Sequence, residues 1–218
     1  MLHPQRECSE YYKLLKRLVY IYKKNDMARQ IFQIQITLNN TKPKIWRRTL
    51  IYSDTLLSDF HKIIQTTMGW TNAHMHCFDV GRKQYSPKYP EDDSWNEEYQ
   101  VDYTKMKVND LIQQERDKMV YEYDFGDGWR HEILIEKILP VDKKMEYPLC
   151  LAGKMHCPPE DCGGAWGYAE LLKIINDPDH KEYDSIMKWL GGEFDPADFS
   201  TEDVNAMLKE EDYGCIEY

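Results

Sequence analysis

A single stretch of thirteen residues, Tyr121-Glu-Tyr-Asp-Phe-Gly-Asp-Gly-Trp-Arg-His-Glu-Ile133, constrains the fold of this chain more than any other. Tyr121, Tyr123 and Phe125 recur at every second position, and so do Trp129, His131 and Ile133 beyond the turn residues Gly126-Asp127-Gly128. Period two is the spacing of a strand, so this is a β-hairpin with an aromatic face to bury and a carboxylate face, Glu122 and Asp124, to keep wet. Glycines at the turn permit positive φ, and Asp127 between them suits a tight connection. A two-stranded ribbon is marginal by itself, so the hairpin needs further strands and a cover.

The rest of the chain supplies candidates for both. Ile31–Leu38 alternates, with Ile34, Ile36 and Leu38 separated by Gln35 and Thr37, and Ile45–Tyr52 follows Asn39–Pro43 as its antiparallel return. His74–Val80 is a further strand, with His74, His76 and Phe78 on one face. Leu56–Met68 carries Leu57, Phe60, Ile63 and Ile64 on one stripe, with Ser53, Asp54 and Thr55 as capping candidates and Gly69 as its stop; this is the covering helix. Gln84–Gln100, rich in Tyr, Pro, Asp and Glu, is expected to be a long exposed loop, and Val108–Gln113 a short helix. The turn-rich segment 150–164 cannot be regular throughout. Three helices then follow, Tyr168–Ile175, Lys181–Leu190 and Thr201–Leu208, the last with Ser200 as N-cap and Asp203 behind it.

Glu7–Lys24 has Tyr11, Leu14, Leu15, Leu18, Val19 and Tyr22 at three-and-four spacing among lysines and arginines, and is expected to be an amphipathic helix outside the main fold. The division that follows is an appendage over residues 1–28 and a single α+β domain over 29–218. That domain is a mostly antiparallel sheet of about five strands with one covering helix and C-terminal helices.

Charge matters because it is uneven. The whole chain carries −10, but Met1–Tyr52 holds 11 Lys+Arg against 3 Asp+Glu, a net of +8, and Ser53–Tyr218 holds 17 against 35, a net of −18. The basic part could meet nucleic acid, with Trp46, Arg47, Arg48 and Trp70 as stacking and phosphate contacts, or lie against its own acidic body. No apolar run is long enough for a membrane span, and the N-terminal residues show no clean apolar centre of an export signal. A cytoplasmic protein with reduced cysteines is therefore expected.

Several unusual motifs occur in order: Ile45-Trp-Arg-Arg48, Gly69-Trp70, His74-Met-His-Cys-Phe78, Tyr123-Asp-Phe-Gly-Asp-Gly-Trp129 with His131, Cys157-Pro-Pro-Glu-Asp-Cys-Gly-Gly164, Gly167-Tyr168, Phe194-Asp-Pro196 and Val204-Asn205. In these the chain resembles the plasmid pRiA4b ORF-3-like family over about Phe32 to Leu208. The resemblance implies a compact α+β domain of bacteria and archaea, associated through some members with mobile elements under a resolvase label. No resolvase chemistry is legible in this chain: Ser9, Ser53, Ser58, Ser86 and Ser94 sit in no arginine cluster, and no spaced Arg/His set precedes a tyrosine.

Two sets of residues remain that could carry chemistry. Cys150, Cys157 and Cys162 with His156 offer thiolate and imidazole to Zn²⁺, joined by His74, His76 and His131 only if the strands bring them near, though at Cys-x6-Cys-x4-Cys spacing without paired knuckles; the cysteines are equally read as small buried hydrophobes and the histidines as satisfied core groups. Asp124, Asp127, His131, Glu160 and Asp161 are the types that acid–base hydrolysis needs, and the hairpin turn lying against the Pro-Pro-Glu-Asp loop would gather them. The expected function is a non-catalytic intracellular binding or scaffold module with a protein or nucleic-acid partner. Its rivals are a metal-dependent hydrolase and a nucleic-acid-binding protein.

Overall fold

The chain is described by a computed structural model over residues 29–88 and 95–216, so the expected helix at Glu7–Lys24 lies outside the described residues. Among the described residues eight strands form one sheet: β1 Gln30–Leu38, β2 Trp46–Tyr52, β3 His76–Val80, β4 Lys83–Ser86, β5 Gln100–Asp102, β6 Lys118–Tyr123, β7 Trp129–Pro140 and β8 Leu149–Lys154. Their spatial order is β5-β4-β3-β6-β7-β1-β2-β8, and every neighbouring pair is antiparallel except β4 and β5. The α+β class and the antiparallel character are as expected, but the strand count is eight rather than about five. The three extra strands give little signal: β4 and β5 are short and polar, and β8 contains Gly153 and is followed closely by Pro158-Pro159.

The hairpin of β6 and β7 sits at the centre of this order, with Tyr121 opposite His131 and Tyr123 opposite Trp129. All four side chains are fully buried, whereas Phe125 lies beyond the last pair and is exposed. Across the buried face runs α1, Leu57–Met68, which sends Leu57, Phe60, Ile64 and Met68 into the same core as Phe32, Ile34, Ile36 and Ile133. Its start differs from expectation. Leu56 is the N-cap without a side-chain bond, Thr55 turns its hydroxyl back to the Tyr52 carbonyl, and the Leu57 N–H donates to the Met106 carbonyl instead. Gly69 ends the helix at φ 102°, a conformation costly for any residue with a Cβ.

The shorter helices are α2 Val108–Leu111, α3 Gly164–Ile175, α4 Tyr183–Trp189 and α5 Thr201–Met207. Ser200 caps α5 by accepting from the Asp203 N–H. One turn later the Asn205 side chain faces β8, accepting from the Cys150 N–H at 2.7 Å and donating to the Cys150 carbonyl at 2.8 Å. Among the described residues no helix is long and apolar enough to cross a membrane.

Two buried polar arrangements hold sheet and helix together. Arg47 of β2, 1 % exposed, donates to the carbonyls of Thr67 (2.6 Å) and Met68 (3.2 Å) at the end of α1 and to those of Trp46 and Lys154 (both 2.9 Å). Its guanidinium lies 4.0 Å from the centre of the Phe199 ring, in space that a side chain at Gly153 would fill. On α1, His61 stacks on His76 of β3 at 3.4 Å between ring centres; it also contacts the Tyr121 hydroxyl and the Asn72 side chain, each at 2.8 Å.

Candidate functional site

The connection between β6 and β7 is longer than a tight two-residue turn. It runs from Asp124 to Gly128, closed by the Gly128 N–H donating to the Asp124 carbonyl at 2.6 Å. Asp124 sits at φ 55°, which Asp tolerates because its carboxylate can bond locally; here Oδ1 accepts the Gly126 N–H at 2.9 Å. Its own N–H donates to the Met75 carbonyl, tying the turn to the segment before β3. The second oxygen, Oδ2, then faces His74 at 3.8 Å.

Glycines let the turn meet the start of α3. Asp127 Oδ2 accepts the Gly163 N–H at 3.1 Å, and a Cβ on Gly164, at φ 66°, would stand 2.5 Å from the Asp127 carbonyl oxygen. Gly167 is as tightly placed, its Cβ position 2.0 Å from the Cys162 carbonyl oxygen. Gly164→Ala is expected to cost about 2 kcal/mol or more, from overpacking and an unfavourable φ together, which urea unfolding would measure. An unchanged midpoint would mean that the turn and helix are not in contact.

The loop before α3 brings in the remaining carboxylates. Glu160 Oε1 accepts three bonds, from the Thr71 N–H (2.8 Å), the Thr71 hydroxyl (2.9 Å) and the Tyr123 hydroxyl (3.0 Å). Burial and the Glu160 charge push the Tyr123 phenol well up, so it remains a donor. Among the described residues Glu160 Oε2 is buried and receives no hydrogen bond, and the same is true of His74 Nε2. The two stand 3.9 Å apart, and Asp161 Oδ1 is 3.4 Å from the same nitrogen.

One imidazole nitrogen thus faces three carboxylate oxygens at 3.4–3.9 Å without a hydrogen bond to any of them. Donors held about 2.0–2.2 Å from a zinc-sized ion stand roughly 3.0–3.6 Å from one another. The donor atoms of His74, Asp124 and Asp161 lie close together, the imidazole nitrogen 3.8 Å from Asp124 and 3.4 Å from Asp161, near that spacing. The segments that build the site, 71–77, 123–129 and 157–168, contain no Lys or Arg. A mixed set of imidazole and carboxylate suits Mn²⁺, Fe²⁺ or Zn²⁺. A second cluster, Cys77, Asp79 and Glu122, differs in that Arg130 pairs with both of its carboxylates and burial pushes its thiol up.

Of the acid–base residues expected from sequence, Asp124, Glu160 and Asp161 stand together, Asp127 holds the α3 start, and His131 lies elsewhere. His131 is completely buried, its Nε2 accepting from Trp70 Nε1 at 3.1 Å and its Nδ1 at 3.2 Å from the Tyr121 carbonyl. Burial lowers its pKa to about 4, so it is a neutral core residue. The cysteine set does not converge with His156 on any metal-sized centre among the described residues. Cys150 and Cys157 are buried with thiols pushed up by desolvation, Cys162 is pushed up to about 12, and His156 turns to the Cys157 carbonyl at 2.6 Å. The expected nucleic-acid contacts are also taken: Arg47 and Trp70 are buried, and Arg48 is paired with Glu136 at 2.5 Å while lying over Trp46. The residues that sequence reasoning passes over are Thr71 and Tyr123, whereas His74 is one of the three histidines expected to contribute only if the strands bring them near. The alternation expected to set His74 on one face with His76 and Phe78 does not extend to it: His74 stands two residues before β3 rather than in it.

Three comparisons place the chain among known proteins. The family model described as plasmid pRiA4b ORF-3-like protein matches residues 30–203. The uncharacterised protein y4hQ of Sinorhizobium fredii is 33% identical over 166 residues, covering 76% of this chain and 83% of that one. A crystal structure of MM3350, a protein of unknown function from Methanosarcina mazei Go1, has a TM-score of 0.73 at 33% identity, covering 81% of this chain and 98% of that one.

Proposed function

The chain belongs to the plasmid pRiA4b ORF-3-like protein family, and from that premise, with relatives whose names carry no activity, we propose that it is a metal-dependent hydrolase centred on His74, Asp124 and Asp161. The observation that carries this reading is the buried, unpartnered pair of His74 Nε2 and Glu160 Oε2. Burying such atoms without partners costs about 1–3 kcal/mol each, a cost that an ion and its water would offset. A bound divalent ion would supply a Lewis acid and a more acidic water. Glu160, with one oxygen saturated by Thr71 and Tyr123 and the other free, is placed to take the proton of that water. Thr71 and Tyr123 are positioning residues in this scheme.

Metal binding without turnover is the second reading. It is favoured by the lack of any Lys or Arg in the three segments, which leaves the ion alone to stabilise a developing oxyanion.

Protein purified without a chelating column is expected to take up one equivalent of Mn²⁺ or Zn²⁺ and, at ion concentrations near 100 times Kd, to gain about 2.7 kcal/mol of stability. His74→Ala should weaken binding by about a hundredfold or more, beyond the tenfold to hundredfold typical of a supporting residue. Glu160→Gln should keep the ion and abolish turnover of p-nitrophenyl acetate. Equal metal uptake by wild type and His74→Ala would overturn the proposal, and turnover retained in Glu160→Gln would remove the assigned base.

A further inference from the structure

Among the described residues, a groove beside α1 shares no lining residue with the His74 centre. Cavities of about 750 Å³ and 310 Å³ have Asp59, Tyr147, Pro148 and Tyr213 as common walls and so form one concavity. Three contacts fix those walls. The Tyr52 ring meets Tyr147 edge-on with 5.1 Å between centres, which brings the β7–β8 connection to the end of β2. Lys62 pairs with Asp212 at 2.7 Å and the Thr66 hydroxyl donates to the Tyr213 carbonyl at 2.8 Å, which hold the turn Glu211–Gly214 on α1. Carboxylates outnumber cations in the lining: Asp54, Asp59, Glu146, Glu210 and Asp212 stand against Arg29, Lys144 and Lys209. Met145, Tyr147, Pro148 and Leu149 add an apolar stretch to the same wall. One guanidinium shows how the groove holds a cation. Arg29 lies 3.5 Å from the centre of the Tyr52 ring with its Nε 2.6 Å from Asp54, an aromatic face and a carboxylate acting together. Farther along, burial and then the Asp212 charge push the Asp59 carboxyl up against the pull of Lys62, so another cation there would be favoured.

We propose that this groove seats the chain's own segment Tyr11–Lys24, its cations toward the carboxylates and its apolar stripe against Met145 and Tyr147. The complementarity is of both kinds. Tyr11–Lys24 contains Lys13, Lys16, Arg17, Lys23 and Lys24 and no carboxylate, and it carries Leu14, Leu18 and Tyr22 at the spacing of one helical face. Where the chain runs selects the occupant further. Arg29, the first described residue, lies inside the groove, so the residues before it depart from the groove itself. The link of residues 25–28 spans at most about 17 Å between Lys24 and Arg29, and a helix over Tyr11–Lys24 would be about 21 Å long. So short a tether gives the groove a roughly millimolar local concentration of its own segment, which a second copy or a foreign basic peptide would have to exceed. Docked in this way, the segment spends on its own acidic body the charge that could otherwise meet a polyanion.

The test uses the full chain, in two measurements. Zero-length carbodiimide coupling, read by mass spectrometry, is expected to join Lys13, Lys16, Lys23 or Lys24 to Asp59, Glu146, Glu210 or Asp212 within one chain. Hydrogen exchange of the amides of residues 11–24 should be slower in wild type than in Glu146→Lys/Glu210→Lys by about tenfold or more. Both replaced carboxylates are exposed, so the variant should keep the wild-type near-ultraviolet circular dichroism. Adding Lys13→Glu/Lys16→Glu to it should restore the slow exchange, a rescue that a variant damaged in folding would not show. Equal exchange in wild type and Glu146→Lys/Glu210→Lys, or coupling only to carboxylates outside the groove, would overturn the proposal. So would coupling found only between two chains and lost on dilution, which would make a second copy the occupant.

Discussion

Arg47→Ala is expected to lower the unfolding free energy by about 3–5 kcal/mol, a large part of the stability of an ordinary domain. The guanidinium is buried without an acidic partner among the described residues, and what compensates it is a set of four carbonyl bonds. Two of those carbonyls, of Thr67 and Met68, belong to the last turn of α1, which has no basic residue of its own. Carbonyls at that end lack intrahelical donors and attract positive charge, so β2 supplies the cation that the helix sequence omits. Burial lowers the arginine's pKa only to about 10, so it is charged at neutral pH. Truncation would leave buried acceptors unpaired and a gap beside Phe199. Arg47→Lys should recover part of the loss, because an ammonium keeps the charge but cannot reach the same four acceptors as a planar fork. Urea unfolding at pH 7.5 checks both, and a loss below 1 kcal/mol for Arg47→Ala would show that the guanidinium is not buried as described.

The second large effect is expected on acidification. His61 and His131 are both held near pKa 4 by burial, against an ordinary value of 6.5, and burial also lowers His76, which stacks on His61. The unfolded chain therefore binds protons that the folded chain refuses. Stability from these rings is complete above about pH 6.5 and is lost as pH falls from there toward 4. Between pH 7 and pH 5 each of the two rings should cost about 2 kcal/mol, or about 4 kcal/mol together. His131→Gln keeps an acceptor for Trp70 Nε1 without titrating, so its stability should fall less steeply over the same interval. Matching urea midpoints for wild type at pH 7 and pH 5 would refute a neutral histidine core.

How far the sequence discloses this structure depends on what kind of signal each part leaves. Alternation in β1, β6 and β7 and the apolar stripe of α1 are periodic, so they are legible, as are Gly69 and the Ser200 cap, whose roles are set by local backbone chemistry. β4, β5 and β8 leave no such trace: β4 is a short polar return from β3, and β5 and β8 are held by strands farther along the chain. At the site, the turn chemistry of Asp124 and the Pro-Pro-Glu-Asp loop point to each other in the sequence, and Asp124, Glu160 and Asp161 do meet. His131 and His74 part company for a reason that alternation itself contains. His131 is in register with Tyr121 and must share its buried face, whereas His74 precedes its strand and is free to turn toward the carboxylates. Arg47 beside Trp46 resembles a surface contact in one dimension, and only the arrival of α1 overhead makes it interior.

The Asn205 amide gives the two ends of the sheet unequal prospects. A strand at an edge offers unpaired N–H and C=O groups onto which another chain can add, the route to strand exchange and fibrous growth. At Cys150 both of those groups are spent on a side chain that imitates a single peptide unit, accepting and donating as a ninth strand would. A single side-chain amide cannot continue a ladder, so Asn205 acts as a terminator at this position. Recruitment by strand addition is thereby discouraged at β8, whereas among the described residues the opposite end of the sheet is a strand of three residues, β5.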